Sequence, residues 1–116
     1  MANKDLDNHA RTCSLQDNKS DTKDDELMFE LADFFKIFGD STRIRILTEL
    51  DKRELCVCEI SSIISMTKSA VSHQLKILKQ SNLVKCERRG KHIYYALADS
   101  HVSCIIEKAI EHIQED

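Results

Sequence analysis

Cys56 and Cys58 stand one residue apart in Glu-Leu-Cys-Val-Cys-Glu, residues 54–59. Two thiols at this spacing offer two soft thiolates to one ion, which favours zinc, cadmium and lead. Two sulfurs seldom complete a coordination shell, so further ligands are sought elsewhere in the chain. The N-terminal stretch offers His9 and Cys13, which would share one face if that stretch became helical. The C-terminal stretch offers an oxygen and nitrogen set. On a helix, His101 and His112 return to nearly the same face, about 16 Å apart along the axis, too far for one ion within one chain. Two such helices packed antiparallel about a two-fold axis would bring His101 of one chain to His112 of its mate. Asp99 and Glu115 flank them, giving an Asp, His, His, Glu set that suits tetrahedral zinc.

The elements that must position these donors follow from composition and periodicity. The chain has 116 residues, no Trp or Pro, two glycines and 5% aromatics, which favours one mainly helical domain. Residues 1–25 are polar and acidic and read as a flexible arm carrying metal ligands; residues 26–116 read as the folded domain. Leu27, Leu31, Phe34, Phe35 and Phe38 have helical spacing and are expected in the core, ending at Gly39. Asp40 or Ser41 caps a second helix with Ile44, Ile46, Leu47 and Leu50 on its apolar face. Ile60, Ile63 and Ile64 mark a short third helix, and Thr67 caps a fourth that turns Val71, Leu75 and Leu78 inward. Lys68, Ser69, Ser72, His73, Gln74 and Lys76 then supply its outward, polar face.

Short helix, turn and polar-faced helix form a helix-turn-helix pattern. Two β-compatible runs joined by Arg89-Gly90-Lys91 add a hairpin wing. The whole chain carries −3, yet the seven Lys and Arg of residues 67–95 face only Glu87, a local net of +6. That asymmetry is the footprint of a nucleic-acid surface, with Arg88, Arg89 and Lys91 on phosphates and the polar helix face on bases. Last, Val102, Ile105, Ile106, Ala109, Ile110 and Ile113 draw a full apolar stripe on a terminal helix. Such a stripe calls for a partner helix, most simply its own copy in a homodimer.

These motifs together resemble the ArsR/SmtB metal-sensing transcriptional repressors, from roughly Leu27 to the C-terminus. The resemblance rests on Glu-Leu-Cys-Val-Cys-Glu (54–59), Ser-Ala-Val-Ser-His-Gln-Leu-Lys-Ile-Leu (69–78), Arg-Arg-Gly-Lys-His-Ile-Tyr-Tyr-Ala-Leu (88–97), and Asp99-x-His101 with His112-x-x-Glu115. It implies a winged helix-turn-helix dimer that binds double-stranded operator DNA as apo-protein and leaves it when metal binds. It also implies two sites. The thiolate-rich site would take Cys56 and Cys58 with arm ligands from the other chain, and the terminal-helix site would take Asp99, His101, His112 and Glu115. The family's cadmium and lead sensors carry Cys-x-x-x-Cys in the arm, where this chain has His9-x-x-x-Cys13. That departure moves the expected ion from Pb(II) towards Zn(II) or Cd(II). The arsenic sensors resemble Cys-Val-Cys-Asp-Leu-Cys, and Ser61 stands in place of the third cysteine.

Two other functions compete. A thiol-based redox repressor would use Cys56, Cys58, Cys86 or Cys104, and a metal-buffering or interaction protein would need no operator. Cys86 and Cys104 are otherwise expected to be packing residues. An enzyme is not expected, since no nucleophile is paired with a base. With no spanning run of about 18 apolar residues and no signal peptide, a cytoplasmic protein without membrane contact is expected.

Overall fold

The computed structural model describes residues 21–115, so His9 and Cys13 lie outside the described residues. The chain divides into two units, residues 1–32 and 33–116, and the boundary falls within the first helix, α1 (Asp21–Phe38). Its described residues 21–25 fall within the stretch expected to be a flexible arm. Asp24, Asp25 and Glu26 lie in this part of the helix; a polar turn of this kind carries no apolar period. Leu27, Met28, Phe29 and Leu31 are all exposed, against the expectation that Leu27 and Leu31 are core.

In the second unit, Phe34 and Phe38 pack half-buried against the core, but Phe35 is 54% exposed, which corrects its expected place inside. Asp40 caps α2 (Ser41–Lys52), its Oδ2 accepting from the N–H of Arg43 at 3.0 Å. Ile46, Leu47 and Leu50 are buried, whereas Ile44 is only half-buried. A two-residue strand, β1 (Leu55–Cys56), then leads directly into α3 (Val57–Ile64). Ser65, with φ 58, turns the chain in the left-handed region, and Thr67 caps α4 (Lys68–Gln80) by accepting from the N–H of Ala70 at 3.1 Å.

Strands β2 (Val84–Arg89) and β3 (His92–Leu97) form the hairpin, with Arg89 opposite His92 and Gly90 at φ 65 in the turn. A positive φ at that position suits glycine because no Cβ is strained by it. The sheet is antiparallel in the order β1-β3-β2, with Cys56 opposite Tyr94. The third strand is an addition to the expected hairpin, since two residues are too few to show a period of two. α5 (Ser100–Gln114) closes the chain, burying Val102 and Ile106.

The core is entirely apolar among the described residues and is shared by α2, β1, α3, α4, β2 and α5. Val71, Leu75 and Leu78 of α4 each have 0% exposure. Truncating one of them removes transfer energy and leaves a cavity. Leu75→Ala should therefore lower stability by about 2–5 kcal/mol, read as a shift in the urea midpoint at fixed protein concentration.

Candidate functional site

The polar face of α4 exists as the sequence pattern requires. Lys68, Ser69, Ser72, His73 and Lys76 are exposed, on the side of the helix away from Val71, Leu75 and Leu78. Gln74 differs from them. It is half-buried, and its Oε1 accepts from Arg43 Nη1 at 3.2 Å, so the expected base-facing role does not match where the side chain sits.

The wing is also more differentiated than its sequence suggests. Arg88 and Lys91 are exposed, with Arg88 Nη1 donating to the Gly90 carbonyl at 3.3 Å. Arg89 is committed within the protein. Its Nη1 lies 2.8 Å from Glu54 Oε1, and its Nη2 donates to Glu54 Oε2 at 3.2 Å and to Glu87 Oε1 at 2.9 Å. Its guanidinium also sits over the Tyr94 ring, 5.1 Å from the centroid. The Arg89 hydrogen bond holds the Glu54 carboxyl below the usual range, and the bonds to Glu54 and Glu87 raise Arg89 above its own. Sequence could not have paired Glu54 with Arg89, because the contact depends on β1 joining the sheet beside β3.

Cys56 is buried at the N-cap of α3, while Cys58 is exposed on its first turn. The N–H of Cys56 donates to Glu59 Oε1 at 3.0 Å, and this bond lowers the pKa of Glu59. The two cysteines line one shallow cavity with Lys91, His92 and Ile93, so the thiol pair sits against the turn of the wing and the start of β3. Cys86 is half-buried, and its nearness raises the pKa of Lys79. Cys104 is exposed, contrary to its expected packing role.

The terminal donors lie at the two ends of α5. Asp99 is its N-cap, with Oδ1 accepting from the N–H groups of His101 at 2.9 Å and Val102 at 3.4 Å. His101 Nδ1 is 3.3 Å from the same oxygen, and its side chain is 89% exposed. His112 and Glu115 are exposed at the far end. Among the described residues, no three His, Cys, Asp or Glu side chains of one chain gather into an ion site. The donor types suit a divalent cation, and the exposed imidazoles are free to meet donors of another chain.

The family model for bacterial regulatory proteins of the arsR family matches residues 40–85, which hold α2, β1, α3 and α4. A cadmium resistance transcriptional regulatory protein CadC homolog of Staphylococcus aureus is 39% identical over 74% of this chain and 72% of its own length. The chain belongs to the ArsR family. A transcriptional repressor SmtB homolog of Synechocystis sp. is 42% identical over 74% of the chain, and the match spans 65% of that relative's length. The solution structure of apo-NmtR superposes with a TM-score of 0.68 at 35% identity, covering 76% of this chain and 74% of that one. The ArsR-family fold is the expected winged helix-turn-helix, α3 and α4 forming the two-helix unit and β2–β3 the wing. It is the fold of a DNA-binding regulator and not of an enzyme. No described helix is long and apolar enough to cross a membrane.

In this ArsR-family chain, both carboxylate oxygens of Glu54 engage the Arg89 guanidinium. Glu54→Gln should tighten binding to duplex DNA and steepen the slope of log K against log salt by about 0.9, the value for one further phosphate contact. Anisotropy titrations at four salt concentrations measure both; an unchanged slope would show that Arg89 does not reach the backbone.

Proposed function

We propose that the chain is a cytoplasmic, metal-responsive transcriptional repressor that binds operator DNA as an apo homodimer and is released by Zn(II) or Cd(II). One observation carries this reading above the others. His101 and His112 are exposed on the same helix whose apolar stripe a single chain covers only in part, with Val102 and Ile106 buried but Ile110 40% and Ile113 78% exposed. The stripe from Ile105 to Ile113, with Phe35, Phe38 and Ile44, lines an apolar groove of about 340 Å³. A second copy covering that surface joins the sensing donors to the dimer geometry.

Asp99 and His101 of one protomer with His112 and Glu115 of its partner would hold one ion, twice per dimer. Cys56 and Cys58, with His9 and Cys13 from the partner, would hold a softer ion beside the wing, and Pb(II) remains a third ion to compare. A bound divalent cation supplies the charge that lets four donors from two chains converge. The residues of the chain do the rest. Val102 and Ile106 anchor α5 in the core under the DNA-binding elements, so the angle between the two α5 helices sets the separation of the two α4 helices. Operator binding requires the two α4 helices to enter successive major grooves. Release needs higher metal affinity in the geometry that fails this match. The terminal-helix set has the more direct path to that geometry, and the cysteine pair serves capture.

Metal titration of wild type, Cys56→Ser and His112→Ala, each paired with a gel shift on operator DNA, tests this. His112→Ala should still bind DNA but lose metal-induced release, while Cys56→Ser should lose thiolate-to-metal absorption and keep release by Zn(II). Release of the wild type by neither ion sinks the reading. The exposed thiols of Cys58 and Cys104 favour a second one, a redox switch; release by peroxide that a chelator does not prevent would establish it.

A further inference from the structure

Arg43 joins three helices through contacts that neither metal sensing nor base reading uses. Its Nε donates to the Ile37 carbonyl at 2.9 Å, its Nη1 donates to Gln74 Oε1 at 3.2 Å, and its backbone N–H is held by Asp40. The Ile37 carbonyl is among the last four of α1, which have no partner within the helix. A guanidinium there satisfies it and complements the negative helix end. Since a guanidinium only donates, the Gln74 amide must present its oxygen to Arg43.

Helix geometry separates Gln74 from the rest of the polar face. At about 100° per residue it lies within roughly 60° of Val71 and Leu78, both fully buried, and about 140–160° from Ser69, Ser72 and Lys76. It is half-buried where they are exposed. We infer that Gln74 is a positioning residue and not a base reader: Arg43 grips it and thereby fixes the rotation of α4 about its own axis against the C-terminal end of α1. Phe35 and Phe38 on that end line the apolar groove, so covering the groove with a second copy presses on the same helix end that Arg43 holds. The pair therefore gives dimer packing a second route to the recognition helix, separate from α5.

The DNA readout rests on the proposed operator binding, and the stability readout does not. Gln74→Glu decides between the roles because it changes their signs. A carboxylate strengthens the bond from Arg43, whereas a carboxylate facing DNA repels phosphate. Wild type, Gln74→Glu, Gln74→Ala and Arg43→Ala are compared on duplexes that the wild type selects from a random pool. Gln74→Glu should bind within about threefold of wild type, and Gln74→Ala should bind about tenfold more weakly with the same preferred sequence. Loss of binding by Gln74→Glu, or a changed base preference in Gln74→Ala, overturns the inference. If the wild type selects no sequence, the operator reading fails and the pair is judged by thermal unfolding alone. A double variant no less stable than the worse single one then supports the inference, and additive losses refute it.

Discussion

The seating of α4 by Val71, Leu75 and Leu78 is the constraint on which the other features depend. All three are fully buried against Ile46 and Leu47 of α2, Leu55 of β1 and Ile60 of α3, so one core serves the whole helix-turn-helix. Dense packing resists even a methylene of displacement, which keeps the opposite face of α4 turned to solvent. An apolar core is non-directional, however, and sets depth better than rotation. Directional contacts at its margin supply the remainder: the Thr67 cap at the start of α4, and the Ser61 hydroxyl donating to the Met66 carbonyl across the preceding turn.

Electrostatics divides the basic block in the same way. Its net charge of +6 treats seven cations as equal, but the fold gives them different neighbours. Arg89 is shared by two carboxylates and stacked on Tyr94, Lys79 lies near Cys86, and Lys68, Lys76, Lys85, Arg88 and Lys91 are exposed. Exposed ion pairs contribute little to stability. The consequence of the Glu54–Arg89 pair is instead mechanical, because Glu54 immediately precedes β1 and Cys56 ends it.

Much of this was legible in the sequence where a local period or a cap carried the signal. The α4 stripe, the Asp40 and Thr67 caps and the hairpin are all local features, and the structure has them where they were expected. What could not be read arises from contacts across the chain. β1 is too short to show alternation, Glu54 and Arg89 meet only through the sheet, and Gln74 looks like its polar neighbours until Arg43 is placed beside it. Phe35 shows a different limit. Helical spacing identifies an apolar face but not whether its own chain covers it, and 54% of Phe35 remains uncovered. For the terminal donors, sequence gives types and spacing, and the structure adds exposure at opposite ends of α5.

Asp99 shows what a helix cap can contribute beyond the helix. Its Oδ1 is engaged by two backbone amides, and Oδ2 takes no part in those bonds. The side chain has thus surrendered its rotamer freedom during folding, as part of starting α5. A flexible carboxylate would have to be immobilised when it captured a ligand, and that ordering would subtract from affinity. In the proposed site that ordering would already have been met in folding, so Asp99 would present Oδ2 from a carboxylate that the start of α5 holds in place.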